Sequence, residues 1–158
     1  MVKPVLVFGY GNLSRGDDAL GPLLLDYIER QDWHGVEILS DFQLQIEHAL
    51  DLENRALVLF VDASVSCRHA FDFAELKPAR DKSYTTHAMS PTAVLAVYQE
   101  IKKQAPPPCF LLSIKGERFE LGEGLTVQAE QHLALASQFV GPLLSQPDLT
   151  RWLQQANR

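Results

Sequence analysis

Three places along the chain carry side chains able to hold a metal ion or move a proton. The first is the pair Asp17-Asp18, which follows the glycine turn Gly9-Tyr10-Gly11-Asn12 and opens an apolar helical stretch. Negative charge costs little there, because unpaired N–H groups and the helix dipole favour it. The second is Asp62, which closes the apolar run Leu57-Val58-Leu59-Phe60-Val61. An aspartate in such a place caps a turn as readily as it forms a site, but a second strand-end carboxylate position on the same rim shifts the balance toward a site. The third is His87, in the polar loop Tyr84-Thr85-Thr86-His87-Ala88-Met89-Ser90-Pro91. A lone loop histidine is usually solvated, and His34, His48, His69 and His132 are read that way. His87 differs because its loop leads from an extended element into a helix start, where function concentrates. Asp18, Asp62 and His87 together would form an O, O, N ligand set with open positions, suited to nickel, zinc or manganese. The absence of cysteine ligands disfavours a closed structural zinc site.

These residues need a scaffold that brings strand ends together. Segments 5–8, 36–39, 56–61 and 110–114 read as strands by their β-branched and apolar content, and 71–76 alternates imperfectly, as an edge strand would. Leu20, Leu23, Leu24, Tyr27 and Ile28 make an apolar helical stripe. Ile46, Ala49 and Leu50 suggest a short helix. Val94, Leu95, Tyr98 and Ile101 suggest another, with Ser90 as N-cap and Pro91 at its first position. Leu133, Ala136, Phe139, Val140 and Leu143 mark a long closing helix, after which Trp152 and Leu153 pack on the body from a peripheral tail, 147–158. Strand and helix alternate, and wholly apolar strands imply a sheet covered on both faces. The expected fold is one α/β domain over 1–158, a three-layer α/β/α sandwich with a twisted, mostly parallel sheet. In such sheets ligands bind at the carboxyl ends of the strands.

Composition removes several classes of function. The chain has 158 residues, of which 46% are hydrophobic and 22% charged, with a net charge of −6. That balance argues against a nucleic-acid or anionic-membrane surface. No apolar run reaches the roughly 20 residues of a membrane span. Met1-Val2-Lys3-Pro4 leads straight into the first strand, so no cleavable signal is expected. Cys67 and Cys109 form no CxxC, which leaves a disulfide framework unsupported and fits a reducing cytoplasm. Cys109 opens an apolar run and reads as a buried hydrophobe. The glycine turn invites a dinucleotide reading with Asp41 as the ribose partner, but the third glycine of that fingerprint is Ser14 here.

In these motifs the chain resembles the hydrogenase maturation endopeptidases, which process the carboxyl terminus of nickel–iron hydrogenase large subunits. The resemblance rests on Gly11-Asn12-Leu13-Ser14-Arg15-Gly16-Asp17-Asp18 with Gly21, on Asp62-Ala63, on Thr86-His87 ahead of a helix, and on Ile114-Lys115-Gly116 with Gly122-Glu123-Gly124-Leu125-Thr126. It covers roughly residues 5–144. It implies a phosphorylase/hydrolase-like sandwich of about five strands and a metal site made of Asp18, Asp62 and His87. It also implies a nickel-dependent, aspartic-type peptidase in the cytoplasm whose nickel is supplied by the substrate precursor, though another divalent metal could occupy the site in isolation. The implied partner is the hydrogenase large-subunit precursor, and a monomer is expected. The family's acidic residue is often Glu, so the shorter Asp18 alters ligand reach. Many relatives have Gly-Gly-Thr where this chain has Asp41-Phe42-Gln43-Leu44-Gln45, a segment expected to help read the precursor. The loop around His87 looks most like the branch serving soluble, NAD-reducing or bidirectional hydrogenases.

Two roles for the ion stay open at this stage: Lewis acid or water activator, or pure recognition with Asp18 or Asp62 as general base. No Ser-His-Asp order or reactive-cysteine context supports a covalent nucleophile. The competing readings are a non-cleaving maturation chaperone for the same precursor and a peptidyl-tRNA hydrolase-like enzyme. Against the latter, Leu13-Ser14 replaces the proline-glycine expected there, and the acidic charge disfavours RNA.

Overall fold

The computed structural model describes residues 2–85 and 88–157. Five strands form one sheet in the order β2-β1-β3-β5-β4: β1 (Val5–Tyr10), β2 (Val36–Asp41), β3 (Leu57–Ser64), β4 (Phe71–Leu76) and β5 (Cys109–Lys115). The first four of that order run parallel, and β4 pairs antiparallel with β5 at the edge. This bears out the mostly parallel sheet and the edge placement of 71–76. β2, β3 and β5 run past their apolar cores into Ser40, Asp41, Ala63, Ser64 and Lys115, because these polar ends still find ladder partners.

Alternating side chains send the sheet into two cores. Val5, Val7, Leu59, Val61, Phe110, Leu112 and Ile114 pack against α1 (Leu20–Gln31), α3 (Val127–Ser145) and α4 (Leu149–Ala156). Leu6, Phe8, Val58 and Phe60 pack against α2 (Pro91–Lys102) and a 3-10 helix, Ile46–Leu52. Ser90 caps α2 as its type predicts, accepting from the Ala93 N–H, and Pro91 occupies the first turn. Thr126 caps α3 in the same way. Trp152 on α4 is fully buried and donates its indole N–H to the Leu143 carbonyl at 3.0 Å. Both cysteines are buried and free. Among the described residues no helix is long and apolar enough to cross a membrane.

The connections from β1 leave toward β2 on one side, while β3 lies on the other. The carboxyl ends of β1 and β3 therefore flank the topological switch point, where open α/β sheets have a crevice for ligands.

Candidate functional site: two carboxylates at the switch point

At the end of β1 the chain must turn sharply to enter a 3-10 turn, Gly16–Ala19, ahead of α1. Gly11 makes that turn at φ +144, where a Cβ would lie 2.1 Å from the Asp18 carbonyl oxygen. A side chain is excluded there on both counts. The Asn12 side chain closes the next step, its Oδ1 accepting from the Ser14 N–H at 2.8 Å. The Asn12 N–H in turn donates to Asp18 Oδ2 at 2.8 Å. This fixes one oxygen of Asp18 and leaves the partly buried carboxylate at the rim.

Asp62 comes up from β3 on the same face as Val58 and Phe60, the face that Tyr10 shares with Leu6 and Phe8. Its Oδ1 accepts the Ala63 N–H at 2.8 Å, and the Tyr10 hydroxyl donates to the same carboxylate. Burial pushes Asp62 up to about 7, and the negative charge of Asp18 adds to the rise. The Ala63 N–H and the Tyr10 hydroxyl hold it back. Tyr10 is itself raised well above its ordinary value, by burial first and then by the charge of Asp62. Asp18 and Asp62 thus stand close enough for the charge of one to oppose ionisation of the other. Hard oxygen donors in a half-buried crevice fit a divalent ion. Among the described residues no third His, Cys, Asp or Glu completes a cluster. His87, the expected third ligand, lies outside the described residues.

The adjacent carboxylates divide their work. Asp17 is fully buried and accepts from the N–H groups of Glu117 (2.7 Å), Arg118 (3.1 Å) and Thr126 (2.8 Å) and from the Thr126 hydroxyl (2.9 Å). Burial alone would raise its pKa, but these donors outweigh it and hold the carboxyl below the ordinary range. Both carboxylates lie in the first turn of the 3-10 helix ahead of α1, as the sequence suggested, but Asp17 serves the loop after β5 and only Asp18 belongs to the rim.

Two histidines read as solvated are also corrected. His48 Nδ1 accepts the Gln45 N–H at 2.9 Å, and Nε2 lies 3.2 Å from Asp41 Oδ2. The ring packs edge-on against Phe8. His132 Nδ1 bonds the Lys115 carbonyl oxygen at 2.8 Å, whereas His34 and His69 are exposed as expected. Asp41 accepts from the Phe42 N–H and pairs with His48, which ties the end of β2 to the 3-10 helix after it. Beside the rim, Gly11, Leu13, Pro22, Ser40, Asp41 and Phe42 line a cleft of about 270 Å³. Leu13 and Phe42 are 61% and 72% exposed there. The role of Tyr10 was legible in principle, since strand alternation from Leu6 and Phe8 puts it on the face that Asp62 shares.

No protein-family model matches the sequence, and no curated protein does. Solved structures do match in fold. The NiFe hydrogenase maturation protease HycI from Thermococcus kodakarensis KOD1 superimposes with a TM-score of 0.69 at 20% identity, covering 91% of this chain and 94% of that one. The hydrogenase maturating endopeptidase HybD from E. coli gives 0.65 at 25% identity, with 88% and 91% covered. A hydrogenase 2 maturation peptidase from a Thaumarchaeota archaeon gives 0.65 at 20%, with 91% and 100% covered. The fold that carries the Asp18–Asp62 pair is that of the hydrogenase maturation proteases, the family the sequence resembles.

Proposed function

We propose that this chain is an endopeptidase that removes the carboxyl-terminal peptide of a nickel-loaded hydrogenase large-subunit precursor, of the soluble NAD-reducing or bidirectional type. The observation that carries the reading is the Asp18–Asp62 pair at the switch point of a fold shared with maturation proteases. The nickel is part of the substrate. The two carboxylates, with His87, are its receptor, and a loaded precursor docks because its cation relieves the repulsion between them. An unloaded precursor brings no such compensation, so selection for loading follows from the electrostatics of the pair.

In the cleavage itself, Asp62 is the proton-accepting group. The docked cation favours its ionised form, and the oxygen that the ion leaves free takes a proton from water. Tyr10 and the Ala63 N–H fix its orientation, and the Asn12 N–H fixes that of Asp18. The neighbouring cleft, with Leu13 and Phe42 on its walls, reads the precursor segment next to the scissile bond.

The test is incubation of purified precursor, with and without nickel, with the protein and its Asp18→Asn, Asp62→Asn and His87→Ala variants. A mass drop confined to loaded precursor and wild-type protein is expected. Cleavage at wild-type rate by the variants would refute the assignment of the site. Binding without cleavage would make the protein a chaperone, and release of peptide from peptidyl-tRNA would replace the reading altogether.

A further inference from the structure

Asp17 does more than fill a buried place. The turn over residues 14–17 is fastened to the loop after β5 by backbone bonds as well as by this carboxylate: Gly16 N–H to the Glu123 carbonyl at 3.0 Å, Asp17 N–H to the Arg118 carbonyl at 2.7 Å, and Gly122 N–H to the Ser14 carbonyl at 2.7 Å. β5 is not a neighbour of β1, since β3 lies between them. The two loops therefore meet across the carboxyl end of β3, the strand that delivers Asp62. Four donors converge on the two oxygens of Asp17. Only an ionised carboxylate accepts from all four, because an amide that kept its oxygen for the three donors at Oδ2 would turn its N–H₂ toward the Thr126 N–H at Oδ1. The Thr126 hydroxyl gives its proton to Asp17 and accepts the Ala129 N–H at 3.2 Å, so the cap of α3 is tied into the same knot.

We infer that Asp17 is a positioning residue for Asp18: by clamping the 14–18 turn to the 117–126 loop it fixes the backbone from which Asp18 projects, and with it the spacing of the Asp18–Asp62 pair. The elements themselves do not depend on this clamp. β1, β5, α1 and α3 are held by the sheet ladder and by a shared apolar core. Loss of the clamp leaves that core in place and loosens the turn, whose Asn12 N–H is the direct reporter of where Asp18 sits. What the pair then does rests on the function proposed above; the clamp does not.

The experiment is amide hydrogen exchange on Asp17→Asn, alongside precursor cleavage. Asn12 exchange is expected to accelerate about tenfold or more while the Leu6 and Val7 amides of β1 keep their protection. Cleavage of loaded precursor should fall in kcat/KM, with KM rising because the pair that docks the ion is no longer held at its spacing. Unchanged Asn12 protection, or equal loss at Leu6 and Val7, overturns the inference. If Asp17→Asn does not fold, Thr126→Val removes one donor and should show a smaller effect of the same kind, whereas Thr126→Ser, which keeps the hydroxyl, should match wild type. Equal Asn12 exchange in the Val and Ser variants overturns it too. If wild-type protein leaves the precursor uncut, the proposed function falls, and the Asn12 readout still decides the role of Asp17.

Discussion

Replacing Asp62 by Asn should make the protein more stable and inactive at once. Asp62 is raised from 3.8 to about 7 in the folded state. Between those values the folded protein binds more protons than the unfolded chain, so stability falls as pH rises through the window and levels off above it. At about 1.36 kcal/mol per pKa unit, the cost of ionising Asp62 has a ceiling near 4 kcal/mol. The carboxyl stands at a half-open rim, and screening by solvent reduces this to about 2 kcal/mol. Asparagine keeps an oxygen for the Tyr10 hydroxyl and the Ala63 N–H but carries no charge to bury. At pH 8 the variant should gain about 2 kcal/mol, a rise in Tm of roughly 4–8 °C for a domain of this size. At pH 4, where Asp62 is protonated in the wild type as well, the gap should close. Thermal unfolding of both proteins from pH 4 to pH 8 measures it. A variant no more stable than wild type at pH 8, or a gap independent of pH, refutes the reasoning. Stability gained at the expense of activity is the signature of a strained functional site.

Other expectations follow from single contacts. In Gly21→Ala the new Cβ would lie 2.7 Å from the Tyr10 carbonyl and 3.1 Å from that of Val61, forcing α1 off the ends of β1 and β3. A loss of about 1–3 kcal/mol in urea unfolding is expected, with cleavage falling further than the lost stability explains. Trp152→Ala removes a fully buried ring and its bond to Leu143, and should cost about 3–5 kcal/mol by the same measurement. Ser90→Ala removes the cap of α2 and the bond to Asp81 at 2.5 Å; a loss of about 1 kcal/mol is expected, read as a shift in denaturation midpoint.

Much of this architecture was legible because it is local. The stripe from Leu20 to Ile28, the Ser90-Pro91 start of α2 and the tail residues Trp152 and Leu153 announce themselves through spacing and capping chemistry, and each lies where that chemistry predicts. β4 could be recognised as an edge because its apolar residues alternate imperfectly, in keeping with the half-buried strand observed. Asp18 and Asp62 were legible as site candidates because each follows an apolar strand. What sequence could not reveal is the division between Asp17 and Asp18. Adjacent identical side chains differ only through partners that fold up from residues 117–126. His48 was misjudged for a related reason, since its capping of Gln45 and its pairing with Asp41 depend on the 3-10 helix geometry rather than on any periodic signal.

The partners of the Asp17 carboxylate lie 100 to 109 residues further along the chain. During synthesis the segment bearing Asp18 stays unfastened until the ribosome has made nearly the whole domain, including β5 and the start of α3. Contacts of such long sequence separation are late events in folding. A half-made chain thus has Asp18 and Asp62 yet no fastened turn to set the distance between them, so the rim is assembled only when the domain is nearly complete.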